Sequence, residues 1–348
     1  TTGIVAQKFG ENNFEEVFFS LLRPTLIAVS VGFILYLNRN YIYDLSVYFL
    51  TPDQQLLGLY KEYLFIRMIG LPAGLLNIVF LGWFFGMQKT KSVMLQLVII
   101  NLMNVIASLY LAVYLEYGIF GVALGSVLAQ ISGLLLSIII FLNHFKTLNF
   151  SSFDLKKIIN LNGFLNLFSI SKNLFVRTML LVSVQAYLIK KSGLIGVDQL
   201  ATMEILIVIF GLSSYTLDAF AHAAESTVGV SIGSKNKKNI YKSIKNTTEF
   251  ALSFSLLIGI VLYITDYYII NLFTNIPVLQ NLTIDLWSLV IITPFISMLA
   301  FQLDGIFIGA TLAKEMRNSM ILSSLIFYLI IEFIIQDTLN LKNLYLIQ

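Results

Sequence analysis

No cysteine occurs among the 348 residues, so disulfides and thiolate metal sites are excluded. Two histidines are too few for a His-rich zinc centre. Charge is equally sparse: Asp, Glu, Lys and Arg make up 12% of the chain, about half of what a soluble domain carries. No GxxxxGK[ST] loop is present, which excludes nucleotide hydrolysis by that route. No HExxH motif or Ser/His/Asp order argues for an intramembrane hydrolase, so an enzyme is not expected.

What fills the sequence instead is apolar. The chain is 57% hydrophobic, with a mean hydropathy of +0.84. Runs of about 20 residues, each long enough to cross a hydrocarbon core as a helix, recur along it. Nine spans are predicted, near 17–37, 56–87, 92–114, 119–142, 166–189, 200–230, 249–267, 282–311 and 319–335. The fold class that follows is all-α, a polytopic protein whose first partner is the lipid bilayer. The longest segments (56–87, 200–230 and 282–311) exceed a perpendicular crossing and must tilt, protrude or break, with Pro72 and Pro294 as natural break points. The 28 Phe and 17 Tyr suit lipid contact and interfacial belts.

Lys and Arg set the orientation. With Thr1 on the cytoplasmic side, alternate loops hold Lys8, Arg23, Lys89, Lys91, Lys146, Lys156, Lys157, Lys235, Lys237, Lys238, Lys242, Lys245, Lys314 and Arg317. The opposite loops and span ends hold Arg39, Lys61, Lys190, Lys191 and Lys342. Fourteen against five is a positive-inside bias. The dense cluster GSKNKKNIYKSIKN (233–246) obeys that bias as a solvated inner loop, so no nucleic-acid partner is inferred. His144 reads as a loop residue without a role.

A repeat at fixed offset organises the chain. Gly10 and Gly233 lie 223 apart, as do Gly82 and Gly305, and Gly86 and Gly309. Around them IVAQKFG (4–10) matches TVGVSIG (227–233), and LGWFFGMQKTK (81–91) matches DGIFIGATLAK (304–314). The Gly82–Gly86 and Gly305–Gly309 pairs have the small-xxx-small spacing that lets helices approach closely. The matched glycines all face the cytoplasmic side, which implies two lobes related by a pseudo-two-fold axis along the membrane normal. Two units of 223 residues would occupy 446, against 348 here. The reading therefore expects two further spans before Thr1 and one after Gln348, twelve in all, of which about nine are present.

LDAFAHAAEST (217–227) breaks the apolar pattern. Asp218, His222 and Glu225 follow an i, i+4, i+7 spacing and share one helix face. An ionised carboxylate at the bilayer centre costs ~3 kcal/mol on insertion scales, so that face must meet the bundle interior or water within it. Asp304 lies about 15 Å of helix from the next inner loop, Arg177 about 16 Å into its span, and Asp218 about 22 Å from Gly233. One buried polar cluster in the second lobe is therefore expected, comprising Asp304, Asp218, Arg177, His222 and Glu225. Two readings stay open and are compatible. Arg177 neutralises Asp218 or Asp304 and locks helices together, or the cluster loads a proton or Na⁺ during a cycle, with Na⁺ near Asp304. Glu225 reads equally as a solvated end residue, and His222 as a partner for a backbone carbonyl. In the first lobe the polar candidates for lining a cavity are Arg67, Asn77, Asn101, Asn104 and Gln130, although Asn and Gln in spans more often bridge helices.

LDAFAHAAESTVGVSIG (217–233), FQLDGIFIGATLAKEMRNSM (301–320), YLFIRMIGLPAGLLNIVFLGWFFGMQ (63–88) and TTGIVAQKFG (1–10) resemble the multidrug and toxic compound extrusion (MATE) family, in particular its DNA-damage-inducible-F branch. The resemblance runs over essentially the whole chain. It implies a two-lobe transporter that exports organic cations or other xenobiotic small molecules in exchange for H⁺ or Na⁺, with no other cofactor. It implies residues 1–145 as helices 3–6 of the family, 146–165 as a cytoplasmic linker and 166–348 as helices 7–11. It further implies a monomer in the bacterial inner membrane. By the same resemblance Asp304 matches an acidic residue of the tenth helix linked to cation coupling, and Asp218, His222 and Glu225 match the branch's eighth-helix signature. Arg177 stands where some relatives have a coupling Glu, and Ser108 where many have an Asp, so a family-style Na⁺ site at Arg177 and first-lobe proton coupling are not assigned. The alternatives are a lipid-linked oligosaccharide flippase of the same superfamily, for which Arg67 and Arg177 are few cations, an intramembrane enzyme using Asp218 and His222, and a non-transporting fragment or structural membrane subunit.

Overall fold

A computed structural model describes residues 1–50, 53–145, 161–334 and 340–347. Among them the chain is helical, with no strand. In order the helices are α1 (Thr2–Gly10), α2 (Phe14–Leu37), α3 (Arg39–Leu50), α4 (Leu57–Gly86), α5 (Thr90–Leu109), α6 (Gly118–Phe145), α7 (Leu161–Ile195), α8 (Val197–Gly233), α9 (Lys237–Ile264), α10 (Asp266–Phe273), α11 (Pro277–Gly309), α12 (Ala313–Leu329) and α13 (Leu341–Ile347). Both α5 and α12 end in a π-helical turn, Tyr110–Tyr114 and Ile330–Ile334.

Among the described residues, nine helices are long and apolar enough to cross a membrane, and each coincides with a predicted span. The largest boundary difference is at α9, which begins at Lys237 and not near 249. Its first three turns are too polar for lipid but hold four lysines and no glycine or proline, and the Asn236 side chain caps them by accepting from the Asn239 N–H at 3.1 Å. Neither Pro72 nor Pro294 ends its helix, against expectation. A proline removes one backbone bond, and neighbouring helices and hydroxyls restore what it frees in a bundle. Pro72 is seated against Gly32 of α2, whose missing side chain leaves room for the ring. His144 lies within α6, not in a loop.

The chain divides into two compact units, Thr1–Phe164 and Leu165–Gln348. Most of the expected linker, 146–160, falls outside the described residues, as do Lys146, Lys156 and Lys157. Residues 161–165 already belong to α7. In the first unit α4 packs against α2 and α6, around a core of Val5, Val17, Leu21, Trp83 and Phe84. In the second, α8, α9 and α11 pack together, and Met203, Leu206, Leu262, Leu286 and Trp287 fill the space between. Each tryptophan is buried with its indole N–H satisfied: Trp83 donates to the Val17 carbonyl at 2.9 Å and Trp287 to the Leu262 carbonyl at 3.0 Å.

The 223-residue offset reappears in the backbone. After α1, Asn12 takes φ +57°, its N–H reaches the Phe9 carbonyl, and the Asn13 N–H reaches the Lys8 carbonyl. After α8, Lys235 takes φ +54°, and the corresponding bonds join Lys235 to Ile232 and Asn236 to Ser231. The pattern recurs after α4 at Gln88 (φ +59°) and after α11 at Thr311 (φ +59°). Every residue in one turn matches its counterpart 223 positions on, and each is a left-handed helix terminator that satisfies orphan carbonyls. The helix contacts follow the same rule. A Cβ on Gly86 would lie 2.8 Å from the Thr2 carbonyl oxygen, and one on Gly309 would lie 2.5 Å from that of Glu225, which is 223 residues beyond Thr2.

Candidate functional site

The polar cluster of the second unit is placed by two glycines. Gly305 and Gly309 stand one turn apart on α11 and touch the backbone of α8 at Ala221 and Glu225. A Cβ at Gly305 would overlap the Ala221 carbonyl, so only glycine lets the helices come this close. Asp304 precedes the first glycine and is thereby carried to the level of the acidic face of α8. Charge interactions then reach Asp304 from Arg177, Glu225, Asp218 and His222, and reach Asp218 from His222 and Arg177. All five expected residues thus occupy one electrostatic neighbourhood.

Within it the groups pair specifically. The Arg177 guanidinium of α7 meets the Asp304 carboxylate at 2.5 Å, each side chain about a quarter exposed (26% and 27%). On α8 the His222 Nδ1 lies 3.2 Å from Glu225 Oε2. Glu225 is buried, with 6% of its side chain exposed, so it is not a solvated end residue; His222 is the more open partner. Asp218 is half-buried one turn before His222. Among the described residues no group of three or more His, Asp or Glu converges to hold a metal ion.

Polar side chains also tie α7 to its neighbours. Arg317 of α12 donates to the Asn173 side chain at 2.8 Å, and the Tyr328 hydroxyl donates to Ser183 at 2.9 Å. Lys191 pairs with Glu332 of the π-helical turn at 2.8 Å. Together with Arg177–Asp304 these contacts run along four levels of α7. The Lys191–Glu332 pair was missed in the sequence because Lys190 and Lys191 read as span-end residues; the structure places both inside α7.

In the first unit the candidates separate. Asn77 donates to the Gln130 backbone carbonyl and side-chain oxygen, both at 2.8 Å, joining α4 to α6. Asn104 donates to Ser126 at 2.9 Å, joining α5 to α6. Asn101 bonds the Leu97 carbonyl of its own helix and is exposed. Arg67 is half-buried and has no hydrogen bond or ion pair among the described residues. Sequence reasoning passed over Gln96, which is fully buried and donates to the Asn77 carbonyl at 2.9 Å. A lone amide inside the apolar run LQLVII was the available signal.

The MatE family model matches residues 1–110 and 174–334. The chain belongs to the MatE family. It is 29% identical over 320 residues to DNA damage-inducible protein F of Escherichia coli, covering 92% of this chain and 70% of that one. Its fold is that of a multidrug resistance MATE family transporter of the MOP superfamily in an outward-facing conformation (18% identity, TM-score 0.75, covering 99% of this chain and 78% of that one). It is equally that of the Vibrio cholerae MATE transporter VcmN (14% identity, TM-score 0.83, covering 99% and 78%). MatE proteins are membrane transporters and not enzymes, so this MatE chain is a multi-pass membrane protein of the transport class.

Proposed function

We propose that the chain works as a secondary antiporter that exports small organic compounds in exchange for H⁺ or Na⁺ by alternating access. The observation that carries this reading is the Arg177–Asp304 bridge set against the Glu225–His222 pair, where three helices meet. A cation that neutralises Asp304 removes the charge that holds Arg177. Because α7 is held to α11 and α12 by discrete polar contacts, losing one changes how α7 sits in its unit. Ion loading is thereby converted into a shift of a whole helix, which is what coupling to substrate release requires. The multidrug resistance transporter among the solved relatives supports organic compounds as the exported class. A flippase for pyrophosphate-linked sugars would need several free cations in its spans, whereas Arg177 is already engaged.

The test is efflux of a fluorescent organic cation from vesicles containing the protein, under an imposed pH or Na⁺ gradient. Efflux that follows one gradient, with coupling lost in Asp304→Asn, is the expected result. Wild-type efflux indifferent to both gradients refutes antiport, and unchanged coupling in Asp304→Asn refutes the site.

A further inference from the structure

A second built cluster lies at the opposite end of the spans from the cytoplasmic turns, and the transport reading does not use it. Chain leaves α2 at Leu37, and α3 begins at Arg39. The Arg39 guanidinium lies 4.7 Å from the Tyr36 ring and 5.5 Å from the Phe65 ring of α4. Lys61 Nζ lies 5.4 Å from the Tyr43 ring and 5.5 Å from the same Phe65 ring. Two cations therefore share one aromatic ring, which holds them within about 11 Å of each other. Tyr43 also packs at a tilt against Tyr60, ring centroids 5.8 Å apart, and donates to the Leu57 carbonyl at 3.4 Å, so α3 is pinned to the start of α4.

Neither cation has a carboxylate partner among the described residues, and the one hydrogen bond of Arg39 goes to the Tyr36 carbonyl at 3.3 Å. The acidic residues near them in sequence are otherwise placed: Asp53 accepts from the Gln55 N–H, and Asp44 and Glu62 are exposed and form no ion pair among the described residues. The rest of α3 carries exposed apolar side chains, Tyr41, Leu45, Tyr48 and Phe49, the last two about three-quarters exposed (77% and 73%). A short helix with rings and aliphatics outward, next to unpaired cations at a span end, has the make-up of an interfacial anchor.

We infer that this corner binds a phospholipid of the non-cytoplasmic leaflet, with the phosphodiester held between Arg39 and Lys61 and the acyl chains lying along the exposed face of α3. Phosphate supplies the anionic oxygens that neither cation meets among the described residues, and the rings keep the two side chains in place before the lipid arrives. Arg39 and Lys61 are fixed by four ring contacts, which distinguishes a site from a general charge bias.

Native mass spectrometry of the purified protein in detergent tests this, with phosphatidylethanolamine and phosphatidylglycerol added as the probes. Wild-type protein is expected to retain one phospholipid adduct that millimolar inorganic phosphate does not displace. Arg39→Gln/Lys61→Gln should lower the bound fraction at least tenfold, whereas Lys89→Gln, on the cytoplasmic side, should not. Phe65→Leu, which removes the shared ring and keeps both charges, should weaken retention and serves if the double variant proves unstable. Equal retention by wild type and the variants overturns the site, and displacement by inorganic phosphate overturns the lipid as its occupant.

Discussion

Replacing Gly309 by alanine adds one methyl group where α11 rests on α8. That methyl would sit 2.5 Å from the Glu225 carbonyl oxygen and 3.1 Å from its Cα, and both obstructing atoms are backbone. A side chain could rotate away; a helix has to translate. Overpacking of this kind costs ~1–3 kcal/mol, and an unyielding neighbour places the cost near the upper end. Against it stands the intrinsic gain of alanine over glycine in a helix, about 1 kcal/mol. Net destabilisation of about 2 kcal/mol is expected from these two terms. The same protein supplies the control. Gly211 lies inside α8 with nothing within 4 Å of its Cβ position, so Gly211→Ala should keep only the gain. The two variants should therefore differ by about 3 kcal/mol, or roughly 6–12 °C in melting temperature for a unit of this size. Thermal unfolding in detergent, followed by fluorescence of the buried tryptophans, measures the gap. If Gly309→Ala melts within a degree or two of Gly211→Ala, the close approach of α8 and α11 is wrong, and so is the placement of Asp304 beside Glu225.

Three other outcomes follow from named contacts. Arg177→Ala leaves the Asp304 charge partly buried and alone; discounting a fully buried pair for one-quarter exposure gives a loss of ~1–3 kcal/mol, and Arg177→Ala/Asp304→Ala should recover part of it in a double-mutant cycle. Asn77→Leu removes a hub that bonds Gln130 and Gln96 and should cost ~0.6–2 kcal/mol, while Asn101→Leu, which loses only a bond to its own helix, should be near neutral in the same melting assay. Trp287→Phe deletes the donor to the Leu262 carbonyl inside the α9–α11 packing and should lower stability by about 1 kcal/mol, visible as a small fall in melting temperature.

The spans were legible because the bilayer imposes one requirement on every crossing segment, an apolar run of sufficient length. The glycine offsets were legible for a related reason: Gly86 and Gly309 answer to close approach of a neighbouring helix, which any side chain would crowd. Less visible were elements that meet no such requirement. Helices α3 and α10 are too short to cross, and the first turns of α9 are helical outside the membrane, so hydropathy gives no sign of either. Partner choice was also hidden. Spacing placed Asp218, His222 and Glu225 on one face, but whether Arg177 would take Asp218 or Asp304 depends on helix rotation and depth, and the close α8–α11 contact sets both. Gln96 illustrates the same gap: an amide in an apolar helix announces a polar partner without saying which.

Asn12 and Lys235 share neither charge nor shape, and Gln88 and Thr311 differ as much, yet each pair directs the main chain along one route. What the two halves have in common is therefore a path of peptide groups, while the side chains along it differ. The connectors after α1 and α8 are alike enough in their main chain that exchanging residues 11–13 with 234–236 is expected to leave the course of the helices untouched, whereas exchanging 87–89 with 310–312 would take the buried Met87 out of the first core.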